Sequence, residues 1–233
     1  MPGKAGEADD GDAGSAEPEG NTGYRHALAD RRLVRFLLMT LVAEFVYVQS
    51  TVGLPLHVGD IGLTAAGFGL LIGLNGVLVL LFELPITGAV ARRRPEYVLA
   101  IGNLLTGAGL ALTGFASDMI WLSATVLMWT LGEMMYSSVA NAYVGGLAPP
   151  SMVGRYQGLY GAVFTLGTGV GAAVGGLIYA INPSALWALI AVAGVVSAQL
   201  CLPRRGSPAA AAGAEDAAKP YSEANEVLRT SPS

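Results

Sequence analysis

The run GFGLLIGLNGVLVLLFELPITGAV, from Gly67 to Val90, is followed by Ala91 and then by Arg92, Arg93 and Arg94. Its single charged residue is Glu83, and it exceeds the ~20 apolar residues that a helix needs to cross a bilayer. The three arginines at its end also give it a direction, because Lys and Arg are retained on the cytoplasmic side during insertion. A membrane-spanning helix leading into a cytoplasmic turn is therefore expected here.

Outward from this run, comparable apolar segments occupy Phe36 to Leu56, Tyr97 to Ala116, Met119 to Leu147, Tyr156 to Ala180 and Ser184 to Leu202. The basic residues divide to match. Lys4, Arg25, Arg31, Arg32 and Arg35 precede the first segment, Arg155 lies between the fourth and fifth, and Arg204, Arg205, Lys219 and Arg229 follow the sixth. With the arginine triplet these make up all 13 Lys and Arg residues, and six spans place every one on the same side. The turns on the opposite side hold only His57, Asp60, Asp118 and neutral residues. The expected fold is all-α, a polytopic membrane protein of six transmembrane helices, multi-pass in the cell's inner or plasma membrane with both termini cytoplasmic.

Composition agrees, with 53% apolar and 13% charged residues and a mean hydropathy of +0.53. The net charge of -4 comes mostly from acidic ends, and no basic patch with interleaved aromatics points to nucleic acid. Residues 1–31 are rich in Gly, Ala, Asp and Glu without an apolar run, so a disordered acidic cytoplasmic segment is expected; it lacks the pattern of a signal peptide. The transmembrane domain is expected over 32–203, and residues 204–233 are expected to form a disordered tail. The lone Cys201 has no internal disulfide partner and is expected to pack as a small hydrophobe.

The sequence contains no HExxH, no phosphate loop and no GxSxG. His26 and His57 fall on opposite sides of the membrane, and no serine and histidine within the spans pair as an intramembrane protease would need. The reading is therefore not an enzyme, with no cofactor and no metal site; the lipid bilayer is the first expected partner.

Three carboxylates fall inside the spans, and a charge at bilayer depth costs at least ~2.5 kcal/mol on insertion scales. Glu44 lies about 12 Å in from Phe36 at the helical rise. Thr40, Glu44, Tyr47 and Thr51 follow at spacings that share one helix face, and Thr130, Glu133, Ser137 and Asn141 form a similar stripe with Tyr136 beside it. Two polar stripes centred on glutamates point to an aqueous or ligand-filled cavity between the first and fourth spans. One reading makes the glutamates sites of proton exchange; the other has them held by hydroxyls and amides purely to fix helix packing. Tyr47, Tyr136, Gln49 and Asn141 are expected to give the cavity its aromatic and amide contacts. Glu83, two residues before Pro85 and near the arginine triplet, fits an ion pair or gate contact as well as a transport role. In the fifth span Gly167, Gly169, Gly171, Gly175 and Gly176 let helices approach closely, either for packing alone or for gate movement.

Together these features resemble the C-terminal six-helix half of a major facilitator superfamily transporter, particularly the bacterial drug/proton antiporters. Gly132-Glu133, then Leu147-Ala148-Pro149-Pro150, then Gly154-Arg155-Tyr156-Gln157-Gly158 are similar to the exporters' "GE...AP...RGxYxG" pattern. Gly167, Gly171, Gly175 and Gly176 resemble the antiporter motif GxxxGPxxGG, with Ala172 in place of its proline. The loop from Gly88 through Arg92, Arg93 and Arg94 resembles GxxxDRxGRR, with Arg92 where an aspartate is expected. The resemblance implies that the first and fourth helices line a central cavity holding Glu44 and Glu133. It further implies that the second and fifth act as gates, that the third and sixth face lipid, and that two six-helix halves rock about a midplane site to export a small molecule. Six spans leave three readings: a fragment of a twelve-span transporter, a half that pairs with a second six-helix half of the same or another chain, or a non-transporting membrane protein that acts as assembly partner or regulator.

Overall fold

The computed structural model describes residues 19–203, and among these every regular element is helical. A short helix α1 (Glu19–Ala29) leads into α2 (Arg31–Tyr47), α3 (Gly53–Asp60), α4 (Ala65–Val90), α5 (Pro95–Thr113), α6 (Met119–Leu147), α7 (Val153–Ile181) and α8 (Pro183–Cys201). Side-chain caps and prolines fix several of the starts. Asp30 accepts from the Arg32 N–H at 2.8 Å, Asp118 accepts from Ile120 and Trp121 at 2.9 Å each, and Asn182 accepts from Ala185 at 3.2 Å. Pro95 and Pro183 open α5 and α8, where a missing N–H costs nothing.

Residues 1–31 carry no apolar period, yet Glu19–Ala29 is helical. Ala27 is fully buried, and the Tyr156 hydroxyl donates to Asp30 at 3.0 Å, so α7 anchors the junction of α1 and α2. The expected disorder of residues 1–18 and of 204–233 lies outside the described residues.

Five stretches are long and apolar enough to cross a membrane: Arg31–Asp60, Ala65–Val90, Pro95–Thr113, Pro150–Ile181 and Pro183–Cys201. The 29-residue α6 has the length but is not among them, because its polar stripe dilutes its apolar residues. The first span is not one helix. After Tyr47 the chain passes through a 3-10 turn, Val48–Ser50, and restarts at Gly53. Side chains compete for the backbone here: the Gln49 amide donates to the Phe45 carbonyl at 3.0 Å and the Thr51 hydroxyl to the Val48 carbonyl at 2.9 Å. Pro55, without an N–H, removes the donor that would have continued the helical ladder.

In the bundle α5 lies between α6 and α8, α2 packs on α7 and α8, and α4 packs on α6. Glycines set the closest approaches. A methyl added at Gly107 would stand 2.6 Å from the Gly194 Cα, and one at Gly109 would stand 2.7 Å from the Trp129 nitrogen. The core is divided in two. Leu110, Leu122, Trp129, Leu186, Trp187 and Ile190 pack towards one end; Leu33, Phe36, Met39, Val144, Tyr156 and Tyr160 pack towards the arginine-bearing end.

Within this chain burial falls unevenly on the spans. Buried residues make up 61% of the apolar stretch of α5 and 44% of that of α8, against 6% for α4 and 17% for α7. Two glycine seams draw α5 into the bundle, whereas α4 has only Leu71 and Val90 buried and presents Leu80 and Leu84 at 81% and 83% exposure.

Candidate functional site

A polar layer separates the two halves of the core. Along α2 it is Thr40 and Glu44, along α5 Asn103 and Thr106, and along α6 Thr130, Glu133 and Ser137. A cavity of about 240 Å³ opens in this layer, lined by Glu44, Tyr47, Asn103, Thr106, Glu133, Tyr136, Ser137, Asn141, Tyr160 and Phe164, with Ala43.

The two glutamates differ in their surroundings. Glu133 uses both oxygens: Tyr47 on α2 donates to Oε1 at 2.6 Å, and the Asn75 amide on α4 donates to Oε2 at 2.9 Å. Asn75 also donates to the Thr130 hydroxyl at 3.0 Å, so three helices meet at this carboxyl. Glu44 is 3% exposed, and its Oε2 has no hydrogen-bond partner among the described residues. A buried, unpaired oxygen is costly, typically ~1–3 kcal/mol, so this carboxyl has a standing demand for a proton or a donor. Its stem leans on α7 at Gly167, where an added methyl would stand 2.8 Å from the Glu44 Cβ.

Aromatic groups form the wall towards the arginine-bearing end. The hydroxyls of Tyr136 and Tyr160 are 3.5 Å apart, and the rings of Tyr160 and Phe164 lie 6.3 Å apart, edge to face. On the other side, the Tyr47 ring meets Trp129 edge to face at 6.3 Å. Two carboxyls, hydroxyls and aromatic faces in one concave space can exchange a proton and hold an apolar or cationic small molecule.

Of the residues singled out in the sequence, Glu44, Tyr47, Glu133, Tyr136 and Asn141 meet at this cavity. Gln49 does not. It is fully buried, and its amide donates to the Gly171 carbonyl at 3.0 Å, which makes it a tie between the first span and α7. Thr51 leaves the expected stripe because the helix ends before it. Glu83 is exposed on α4 and does not line the cavity, and Arg92, Arg93 and Arg94 are exposed in the turn before α5. Arg155 is half-buried, with its guanidinium over Gly23 of α1. Gly167, Gly171 and Gly175 form the seam against the first span, where added methyls would meet Glu44, Phe45 and the Gln49 amide. Gly176 is looser, 3.6 Å from Val52, and Gly169 meets nothing.

Sequence reasoning missed Asn75, Tyr160, Phe164, Asn103 and Thr106. Asn75 had a signal, since it is the lone amide in the apolar run of α4. Tyr160 and Phe164, four apart on α7, share a face, but nothing in spacing alone shows which face that is.

Comparison with known proteins agrees with this architecture. The profile of the Major Facilitator Superfamily matches residues 26–233, and the chain belongs to that superfamily of membrane transporters. Its relatives include the uncharacterized MFS-type transporter YqjV of Bacillus subtilis, 29% identical over 58% of this chain and 34% of that protein. The multidrug resistance protein MdtH of an Enterobacter species is 26% identical over 75% of this chain and 45% of its own length. A Na(+), Li(+), K(+)/H(+) antiporter of Planococcus maritimus is 27% identical over 43% of this chain and 24% of its own. The chain spans less than half the length of each of these relatives.

Proposed function

We propose that this chain is one six-helix half of a proton-coupled secondary transporter that exports small amphipathic molecules across the cell's inner or plasma membrane, with both termini cytoplasmic. The observation that carries the reading is the shared cavity of Glu44 and Glu133. Glu133 is oriented by Tyr47 and Asn75, whereas Glu44 is buried without a partner on Oε2, so Glu44 is the group that takes and releases the proton. The rings of Tyr136, Tyr160 and Phe164 give an amphipathic substrate its apolar and cation-accepting surface.

The relatives named for multidrug resistance and for cation/proton antiport support this class of activity. A second six-helix half, from the same or another chain, is the partner that fits the uncovered apolar faces of α4 and α7, and alternating access follows from rocking between the halves. The test is efflux of a fluorescent amphipathic cation, driven by a pH gradient, from vesicles holding this chain and its second half. Replacing both glutamates (E44Q/E133Q) is expected to abolish the pH-driven component; unchanged efflux would end the proton-coupling assignment.

One observation favours a second reading. Glu133 has both oxygens satisfied, as in a carboxyl that only fixes packing. In that case the chain is a non-transporting assembly partner or regulator, and its polar layer is closed to water.

A further inference from the structure

At the arginine-bearing end, a second cavity of about 300 Å³ lies between α2, α5, α6 and α8. Arg31, Arg32 and Arg35 line it together with one carboxylate, Glu96, and Phe36, Leu99 and Leu147 supply an apolar wall. Cationic groups therefore exceed anionic ones in a confined space.

The three arginines are not equally committed. Arg35 Nη2 donates to the Gln199 carbonyl at 3.1 Å and to the Leu202 carbonyl, which caps the end of α8. Its Nε is buried with no acceptor among the described residues. Arg31 and Arg32 are exposed, and neither side chain makes a hydrogen bond or ion pair with another described residue. The cavity is thus lined by one guanidinium with a buried donor lacking an acceptor and by two that have no anionic partner among the described residues. The planar N–H forks of arginine match phosphate oxygens in pairs.

The geometry points to this cavity as a binding site for a phosphate group, carried by the head of an anionic phospholipid or by soluble phosphate. The lipid source rests on the orientation proposed above, which puts the cavity at head-group depth in the cytoplasmic leaflet, where anionic lipids attract basic residues. Glu96 in the lining sets a limit on the charge the site accepts, since a multiply charged anion would be repelled by it.

The experiment measures binding to the whole detergent-purified chain by native mass spectrometry, with phosphatidylglycerol, phosphatidylcholine and inorganic phosphate as probes. The variants are R31Q/R32Q and R31K/R32K, which leave the helix-capping Arg35 in place; equal Tm without lipid confirms that each folds. Phosphatidylglycerol is expected to bind the double glutamine variant about thirtyfold more weakly than the unaltered chain, at roughly 1 kcal/mol per arginine, while the lysine variant, which keeps the charge but not the paired N–H fork, falls between the two. If inorganic phosphate displaces the lipid, soluble phosphate also reaches the site; if it does not, the source is the lipid. Equal phosphatidylglycerol binding by R31Q/R32Q and the unaltered chain, or phosphatidylcholine binding as tightly as phosphatidylglycerol, would overturn the assignment. No transport is needed for this measurement, so a chain that binds lipid but does not transport keeps the site and loses only the transporter reading.

Discussion

Tyr47 on α2 donates a 2.6 Å hydrogen bond to Oε1 of Glu133 on α6, and it thereby fixes a carboxyl that lies 86 residues further along the chain. The bond joins the helices that carry the two glutamates. It leaves Glu133 oriented and Glu44, in the same cavity, without a donor on Oε2.

Removing that donor tests the division of roles. Y47F is expected to lower the stability of the detergent-purified chain by about 1–3 kcal/mol, the cost of leaving a buried acceptor without its donor, and N75A by a similar amount. Thermal unfolding measures the loss. In the transport assay, Y47F is expected to slow efflux without abolishing its pH dependence, whereas E44Q removes that dependence.

The glycines of α7 should separate by the side they face. An added methyl at Gly171 meets the Phe45 Cα at 2.9 Å and one at Gly167 meets the Glu44 Cβ at 2.8 Å, so G171A and G167A are expected to cost about 1–3 kcal/mol by overpacking. G169A meets nothing and should be neutral or gain up to ~1 kcal/mol from helix propensity. Tm values of the three variants decide this, and equal losses at all three sites would contradict the packing.

Water access distinguishes the two functional readings. On a C201A background, N141C is expected to react with a membrane-impermeant maleimide and Q49C to remain unlabelled, because Asn141 lines the cavity and Gln49 is fully buried. Labelling at neither position would favour the non-transporting reading.

Glu83 is expected to matter to assembly rather than to folding. It is exposed on α4, so E83L should change the stability of the isolated chain by no more than ~0.5 kcal/mol. Co-purification with the second half measures the other effect, and E83L is expected to reduce it if Glu83 meets a partner there.

Much of this arrangement was legible in the residues. Hydropathy located five stretches long and apolar enough to cross, because each crossing needs an apolar run, and helical spacing placed Glu133, Ser137 and Asn141 on one face of α6. The site was less legible where the facing helix decides which side of a span is used. Gln49 is expected in the cavity, but it continues the line of Leu41 and Phe45 that faces the glycines of α7, and it ties the first span to that helix. Asn75 gave a signal without an address, since an amide in an apolar run must find a partner but spacing does not say on which helix. Burial order depends on tertiary seams such as Gly107 against Gly194, which join residues far apart in sequence.

The split core has a mechanical consequence. Because apolar packing forms two separate clusters with the glutamate layer between them, separating the helices at one end breaks contacts in that cluster alone. The other end stays gripped. The carboxyls sit between two independent grips, so a substitution that weakens one apolar cluster is expected to loosen that end of the bundle and leave the other packed.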